Sequence, residues 1–163
     1  MSDLRGNVDT RLRKLDEGLF DAIVLAEAGL QRLGLFVSGT RLPPEVFVPS
    51  PNQGTIAVVG RDTPAVIGKL SLLDDPTSRK DILIERAVME ELGGGCFTPM
   101  GIYCSQGHLI VEVLSVDGRR GERFGHEATD IGGARIFARE IKPEIEPLIS
   151  EAYAALRLDT EGT

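Results

Sequence analysis

The 163-residue chain has no tryptophan, only two histidines and two cysteines, and 5% aromatic residues in all. Cys96 and Cys104 are too few for a disulfide framework, and both are expected as thiols in a reducing compartment. Together with His108 and His126 they form neither a C-x2-C nor an H-x3-H pair, so no metal site is expected. Long apolar runs are missing too. The longest, Ala22–Ala26, falls far short of the roughly 20 residues of a membrane span. The opening Met-Ser-Asp-Leu-Arg-Gly-Asn has no secretory-signal character, so the expected location is cytoplasmic, away from membranes. Basic residues are in deficit, 18 against 25 acidic, and the net charge of -7 disfavours a nucleic-acid footprint. What is present, 42% hydrophobic and 26% charged residues, is the balance of a globular domain.

Apolar spacing and turn residues divide the chain into elements. Val8, Leu12 and Leu15 recur at helical intervals among charged residues, which predicts a helix over 9–17 opened by Asn7 or Asp9 and closed by Gly18. The apolar run over 20–26 predicts a buried strand, followed by a helix over 27–33 that ends at Gly34. Pro43, Pro44, Pro49 and Pro51 make 39–51 a connector. Residues 54–60 read as a strand and 64–73 as a helix. From Asp75 or Thr77, with Pro76 in the first turn, Ile84, Ala87, Val88 and Leu92 trace an apolar stripe opposite Glu85, Glu90 and Glu91. That helix stops at Gly93-Gly94-Gly95. Strands over 100–105, 108–116 and 121–127, with a turn at Asp117-Gly118, predict a small antiparallel sheet. Helices over 130–141 and 147–157, separated by Lys142-Pro143, complete an α/β chain. The first 50 residues hold too few strands for a closed parallel sheet, as if the chain were truncated at its front.

Few residues invite chemistry. Cys96 follows three glycines, with Pro99 beyond it, a setting for a thiol on a mobile loop that a bulky ligand can approach; the same pattern suits a buried free cysteine after an ordinary helix stop. Arg5 and Arg11 bracket an expected strand-to-helix junction, where planar guanidinium forks suit carboxylates, although solvated arginines on an amphipathic helix read equally well. Arg32 falls near a helix C-terminus, a favourable place for any cation. Gly93–Gly95 lacks the Lys-Ser/Thr of a phosphate loop, Asp16, Glu17, Asp74 and Asp75 are expected to be solvated, and no Ser-His-Asp arrangement is present.

Several blocks in order carry a resemblance. Arg5-Gly6-Asn7-Val8-Asp9-Thr10-Arg11-Leu12, Leu15-Asp16-Glu17-Gly18, Asp21-Ala22-Ile23-Val24-Leu25-Ala26, Ala28-Gly29-Leu30-Gln31-Arg32-Leu33-Gly34-Leu35, Gln53-Gly54, Glu85-Arg86 and Gly94-Gly95-Cys96 with Pro99 and Gly101 resemble the porphobilinogen deaminases, or hydroxymethylbilane synthases. The resemblance weakens after about residue 105. It implies a transferase of porphyrin and heme biosynthesis that joins four porphobilinogen units head to tail, releasing ammonia each time, to give the linear tetrapyrrole hydroxymethylbilane. It also implies a dipyrromethane cofactor held by a thioether to Cys96, with Gly95 beside it. Arg5 and Arg11 would hold cofactor carboxylates. Arg11, Arg32, Gln53 and Gly54 would serve substrate. Asn52 stands where many members carry a second glycine.

The implied fold is an incomplete periplasmic-binding-protein-like α/β segment followed by a small α+β domain with a three-stranded antiparallel sheet packed by helices. Residues 1–50 would end the second family domain, 51–76 would form the crossover or hinge belonging with the first, and 77–163 the cofactor-carrying C-terminal domain. The family's catalytic aspartate has no counterpart here, so no catalytic residue is assigned, the chain alone is expected to be inactive, and no adduct on it is expected. The alternative is a non-catalytic remnant or split subunit that binds pyrrole carboxylates and needs a separate N-terminal partner. Exposed apolar edges would favour self-association of such a fragment.

Overall fold

A computed structural model of the chain describes residues 3–95 and 97–161, the last five of these by backbone alone. The chain divides into two units, Met1–Arg41 and Leu42–Thr163.

The first unit holds two short helices, α1 (Val8–Asp16) and α2 (Glu27–Arg32). Asp9 in the first turn of α1 and Arg13 and Lys14 in its last complement the helix dipole. Each helix ends on a left-handed glycine. Gly18 has φ +71 and Gly34 φ +64, and the next residue in each case returns its N–H to a carbonyl five positions back, Leu19 to Lys14 and Leu35 to Leu30. The strand expected over 20–26 does not form. No ladder involves these residues, and Val24 is exposed, because an extended segment becomes a strand only when another segment pairs with it.

The second unit continues with α3 (Pro64–Leu70) and a 3-10 turn over Ser71–Leu73, together matching the helix expected over 64–73. The strand expected over 54–60 is absent for the same reason as the first, and Val59 is 92% exposed. The next helix is α4 (Pro76–Leu92), with Pro76 in its first turn. The Asp75 carboxylate accepts the Ser78 N–H at 2.7 Å and closes its start. Gly93 ends it at φ +78.

Three strands then build one antiparallel sheet in chain order, β1 (Met100–Ser105), β2 (His108–Leu114) and β3 (Gly121–Glu127). The first hairpin turns through Gln106 and Gly107, with φ +52 and +90, the signature of a tight two-residue turn. In the second, Ser115 Oγ donates to the Asp117 carboxylate at 2.6 Å and accepts the Arg120 N–H at 3.0 Å. Ile102, Val111 and Phe124 stand opposite one another across the three strands. Alternation puts Ile102, Cys104, Leu109, Val111 and Val113 on the face that meets the helices, where Ile84, Val88 and Leu92 of α4 complete a continuous core.

The two helices expected after the sheet are one, α5 (Ile131–Glu161), with Pro143 and Pro147 inside it. Both prolines are exposed and stand four apart on one side, so the N–H groups they lack face water, which can satisfy the freed carbonyls. On the other side Phe137, Ala138, Ile141, Ile145, Leu148 and Ile149 are buried without interruption, and this burial carries the helix through. Arg139 grips Glu91 through two bonds of 2.9 and 3.2 Å, and Arg135 reaches Glu90 at 2.7 Å, tying α5 to α4 along their rim. No described helix is long and apolar enough to cross a membrane.

Candidate functional site

In the first unit Arg5 and Arg11 make no bond to each other among the described residues; each is tied to the segment around α1. Arg11, on the first turns of α1, donates from Nε to the Gly6 carbonyl at 2.8 Å, and Lys14 Nζ reaches the Arg5 carbonyl at 3.3 Å. The segment before the helix is thereby folded back along it, with Gly6 at φ +120, where a side chain would be strained and would crowd Thr10. Arg5 has only a loose ion pair to Asp3 at 3.8 Å between two side chains more than nine-tenths exposed, and such pairs contribute little. The terminal nitrogens of Arg11 are free among the described residues. Arg32 closes α2 and bonds to neither arginine.

Gln53 and Gly54 belong to the second unit, in a turn that spans Pro51–Gly54. Asn52 and Gly54 both adopt left-handed backbone, φ +59 and +80. An asparagine tolerates that conformation better than most residues, so a glycine is not required at 52. The Asn52 N–H donates to Glu85 Oε2 at 2.6 Å, and the Cys104 N–H of β1 donates to Glu85 Oε1 at 2.8 Å. Glu85 is 6% exposed. Burial pushes its carboxyl above the usual range, against the opposing pull of the two backbone N–H groups, and Asp81 nearby adds to the rise. The expectation that Glu85 lies opposite the apolar stripe is therefore corrected. It stands three residues before Val88 and seven before Leu92, inside the stripe by spacing, and only its charge argued otherwise.

The turn, α4 and β1 enclose a cleft of about 790 Å³ whose walls include Gln53, Gly54, Ser78, Arg86 and Tyr103. Arg79, also on this wall, is held by Asp74 at 2.7 Å. Arg86 shares the cleft with Gln53, Gly54 and Arg79 and, unlike Arg79, has no ion-pair partner among the described residues. Asp74, Asp75, Asp81 and Glu85 also line the cleft, so its wall is acidic overall and Arg86 is its one guanidinium without an ion pair among the described residues.

Cys96 lies outside the described residues, and the loop on either side of it is built as follows. Of the three glycines before it, only Gly93 has positive φ, and a side chain on Gly94 or Gly95 would push against the side chains of Met100 and Phe97. A Cβ on Gly94 would come within 2.8 Å of Met100 Cε, and one on Gly95 within 2.9 Å of the Phe97 ring. Thr98, buried, returns its N–H to the Gly95 carbonyl at 2.9 Å and accepts the Gly95 N–H on Oγ1 at 3.2 Å. Cys104, by contrast, is 4% exposed, and burial, reinforced by Asp81, pushes its thiol up to about 12. It is not a nucleophile. Among the described residues no three His, Cys, Asp or Glu side chains gather to hold a metal.

Two family models match the chain in succession, one described as "Porphobilinogen deaminase, dipyromethane cofactor binding domain" over residues 1–68 and one as "Porphobilinogen deaminase, C-terminal domain" over residues 80–146. The first range contains Arg5, Arg11, Arg32, Gln53 and Gly54; Cys96 falls in the second. A probable porphobilinogen deaminase of Methanosarcina barkeri is 52% identical over 170 residues, covering 97% of this chain and 53% of the relative. That of Methanosarcina acetivorans is 44% identical over 156 residues, with 82% and 49% covered. The porphobilinogen deaminase of Roseiflexus castenholzii is 45% identical over 147 residues, with 85% and 48% covered. The chain spans about half the length of these curated relatives. With both models in order and this degree of identity, the chain belongs to the porphobilinogen deaminase family, one of whose domains binds a dipyrromethane cofactor.

Proposed function

We propose that this chain forms part of a hydroxymethylbilane synthase, a cytoplasmic transferase that joins four porphobilinogen units into a linear tetrapyrrole and releases ammonia. The observation that carries the reading is the succession of the cofactor-binding and C-terminal family models along one chain. In this reading residues 1–50 close a periplasmic-binding-protein-like domain, 51–76 cross over, and 77–163 carry the cofactor. The residues suit the group in kind. Arg11 has free terminal donors and Arg5 only a loose partner, the donor set that acetate and propionate carboxylates need. A larger side chain at Gly94 or Gly95 would have to displace the side chains of Met100 and Phe97.

Within this assignment Cys96 holds the dipyrromethane by a thioether, a bond that resists hydrolysis. When bound, that group supplies the primer to which pyrrole units are added. Arg5 and Arg11 orient its carboxylates. Arg11 and Arg32 hold substrate carboxylates, and Gln53 and Gly54 line the place where substrate enters. No residue here is assigned the proton chemistry, so the 163-residue chain is inactive by itself and works with the part of its relatives' length that it does not span. Porphobilinogen consumption measured for the chain alone, and after addition of the first half of the Methanosarcina barkeri relative, tests the proposal. Turnover only in the mixture, with a mass adduct on Cys96, supports it. Turnover by the lone chain, or by a mixture carrying Cys96→Ala, overturns it.

A further inference from the structure

The loop after α4 is bracketed by one side chain from the far end of the sequence. Tyr153, on α5, donates its hydroxyl hydrogen to the Gly93 carbonyl at 3.0 Å, and its ring meets the Phe97 ring edge-on, centroids 4.6 Å apart at 79°. Gly93 precedes Cys96 by three positions and Phe97 follows it directly. The two contacts are chemically distinct, one a hydrogen bond to backbone and one an aromatic edge contact, and they fall on opposite sides of the cysteine. Between them, Gly95 and Thr98 exchange the pair of bonds that closes the loop on itself. Tyr153 is 37% exposed and stands outside the buried cluster, so the core does not require a tyrosine there.

We infer that Tyr153 is a positioning residue, one that pins Gly93 and Phe97, the described residues on either side of position 96. The functional meaning of this placement rests on the reading of Cys96 as the cofactor tether; the restraint itself does not.

Two variants of the full chain separate the contacts. Tyr153→Phe removes the hydroxyl and keeps the ring; Tyr153→Leu removes both. Amide hydrogen exchange at Gly95 and Thr98 reads the loop directly, and the rate of alkylation of Cys96 by iodoacetamide reads the presentation of the thiol, with buried Cys104 as the unreactive internal control. A neutral hydrogen bond is worth about 2- to 10-fold in such an equilibrium, so both rates should rise by about that factor in Tyr153→Phe and further in Tyr153→Leu. The exchange of Ile102 and Val111, in the middle of the sheet, should not change.

Rates within twofold of the unaltered chain in both variants would overturn the inference. So would faster exchange that extends equally to the sheet, since that marks a general loss of stability rather than a local clamp. The tether is tested separately, by activity of Cys96→Ala in the reconstituted enzyme. A failure there leaves the exchange result at Gly95 and Thr98 standing on its own.

Discussion

Glu85 on α4 accepts a hydrogen bond from the Asn52 N–H at 2.6 Å across 33 positions of sequence. Its second oxygen takes the Cys104 N–H. One buried carboxylate thus fastens the turn that contains Gln53 and Gly54 to the edge of the sheet, through the Asn52 N–H.

Glu85→Gln keeps one acceptor oxygen and turns an amide NH2 toward the other N–H. A buried donor left without an acceptor costs about 1–3 kcal/mol, the loss expected from denaturant unfolding near neutral pH. The pH trend has a definite sign. The folded state holds the Glu85 proton to higher pH than the unfolded chain does, so this group's contribution is full below the ordinary glutamate range and is lost as pH rises through the raised folded value. Glutamine carries no such contribution, and the stability gap between the two proteins should narrow as pH rises across that window. A gap that widens instead rules out the burial argument.

Asp75 should behave with the opposite sign. The Ser78 N–H draws its carboxyl below the usual range, so its contribution is present above the ordinary aspartate value and is lost as pH falls through the folded one. Asp75→Ala should lower the melting temperature at pH 7, and the deficit should vanish in acid. A deficit that persists unchanged at low pH would mean that the cap acts by something other than its charge.

Gly101→Ala should detach the segment before the cleft. A Cβ there would lie 2.6 Å from the Val48 carbonyl oxygen, backbone that cannot swing aside, and the adjacent Pro49 carbonyl accepts the Ile102 N–H at 3.0 Å. Overpacking of this kind costs about 1–3 kcal/mol. Hydrogen exchange at Ile102 should quicken ahead of that at Val111, and equal protection in both proteins contradicts the close approach.

Arg11→Ala in the reconstituted enzyme should reduce cofactor loading or raise the porphobilinogen KM by about tenfold to a hundredfold, the range for losing hydrogen bonds to a charged group. Arg11→Lys keeps the charge but not the fork, and should recover only part of the loss. Full activity in either variant removes Arg11 from the site.

Cys104 should not react with iodoacetamide at pH 8 in the folded chain and should react once denaturant exposes it, because its thiol is buried and pushed up to about 12. Peptide mapping after alkylation distinguishes it from Cys96.

Local pattern sufficed where local physics decides. The apolar stripe of α4, its Asp75 cap and Gly93 stop, the three strands and the helical reading of 64–73 are set by neighbours a few positions away. The two missing strands, over 20–26 and 54–60, failed for a reason no local pattern contains, since β structure requires a partner strand. Pro143 broke the expected helix in two on propensity alone, whereas the buried row from Phe137 to Ile149 outweighs two hydrogen bonds lost on the solvent side.

The candidate site divides in the same way. The chain of residues itself determined the family blocks, the glycines before Cys96 and the arginines suited to carboxylates, because these depend on residue type and order. Tertiary structure alone decided that Glu85 is buried and fastens the Asn52 turn, that Arg86 shares the cleft with Gln53 and Gly54, and that Tyr153 reaches Gly93 from 60 positions away. Those relationships come from how helices and sheet stack, and stacking brings together residues whose separation along the chain carries no periodic signal.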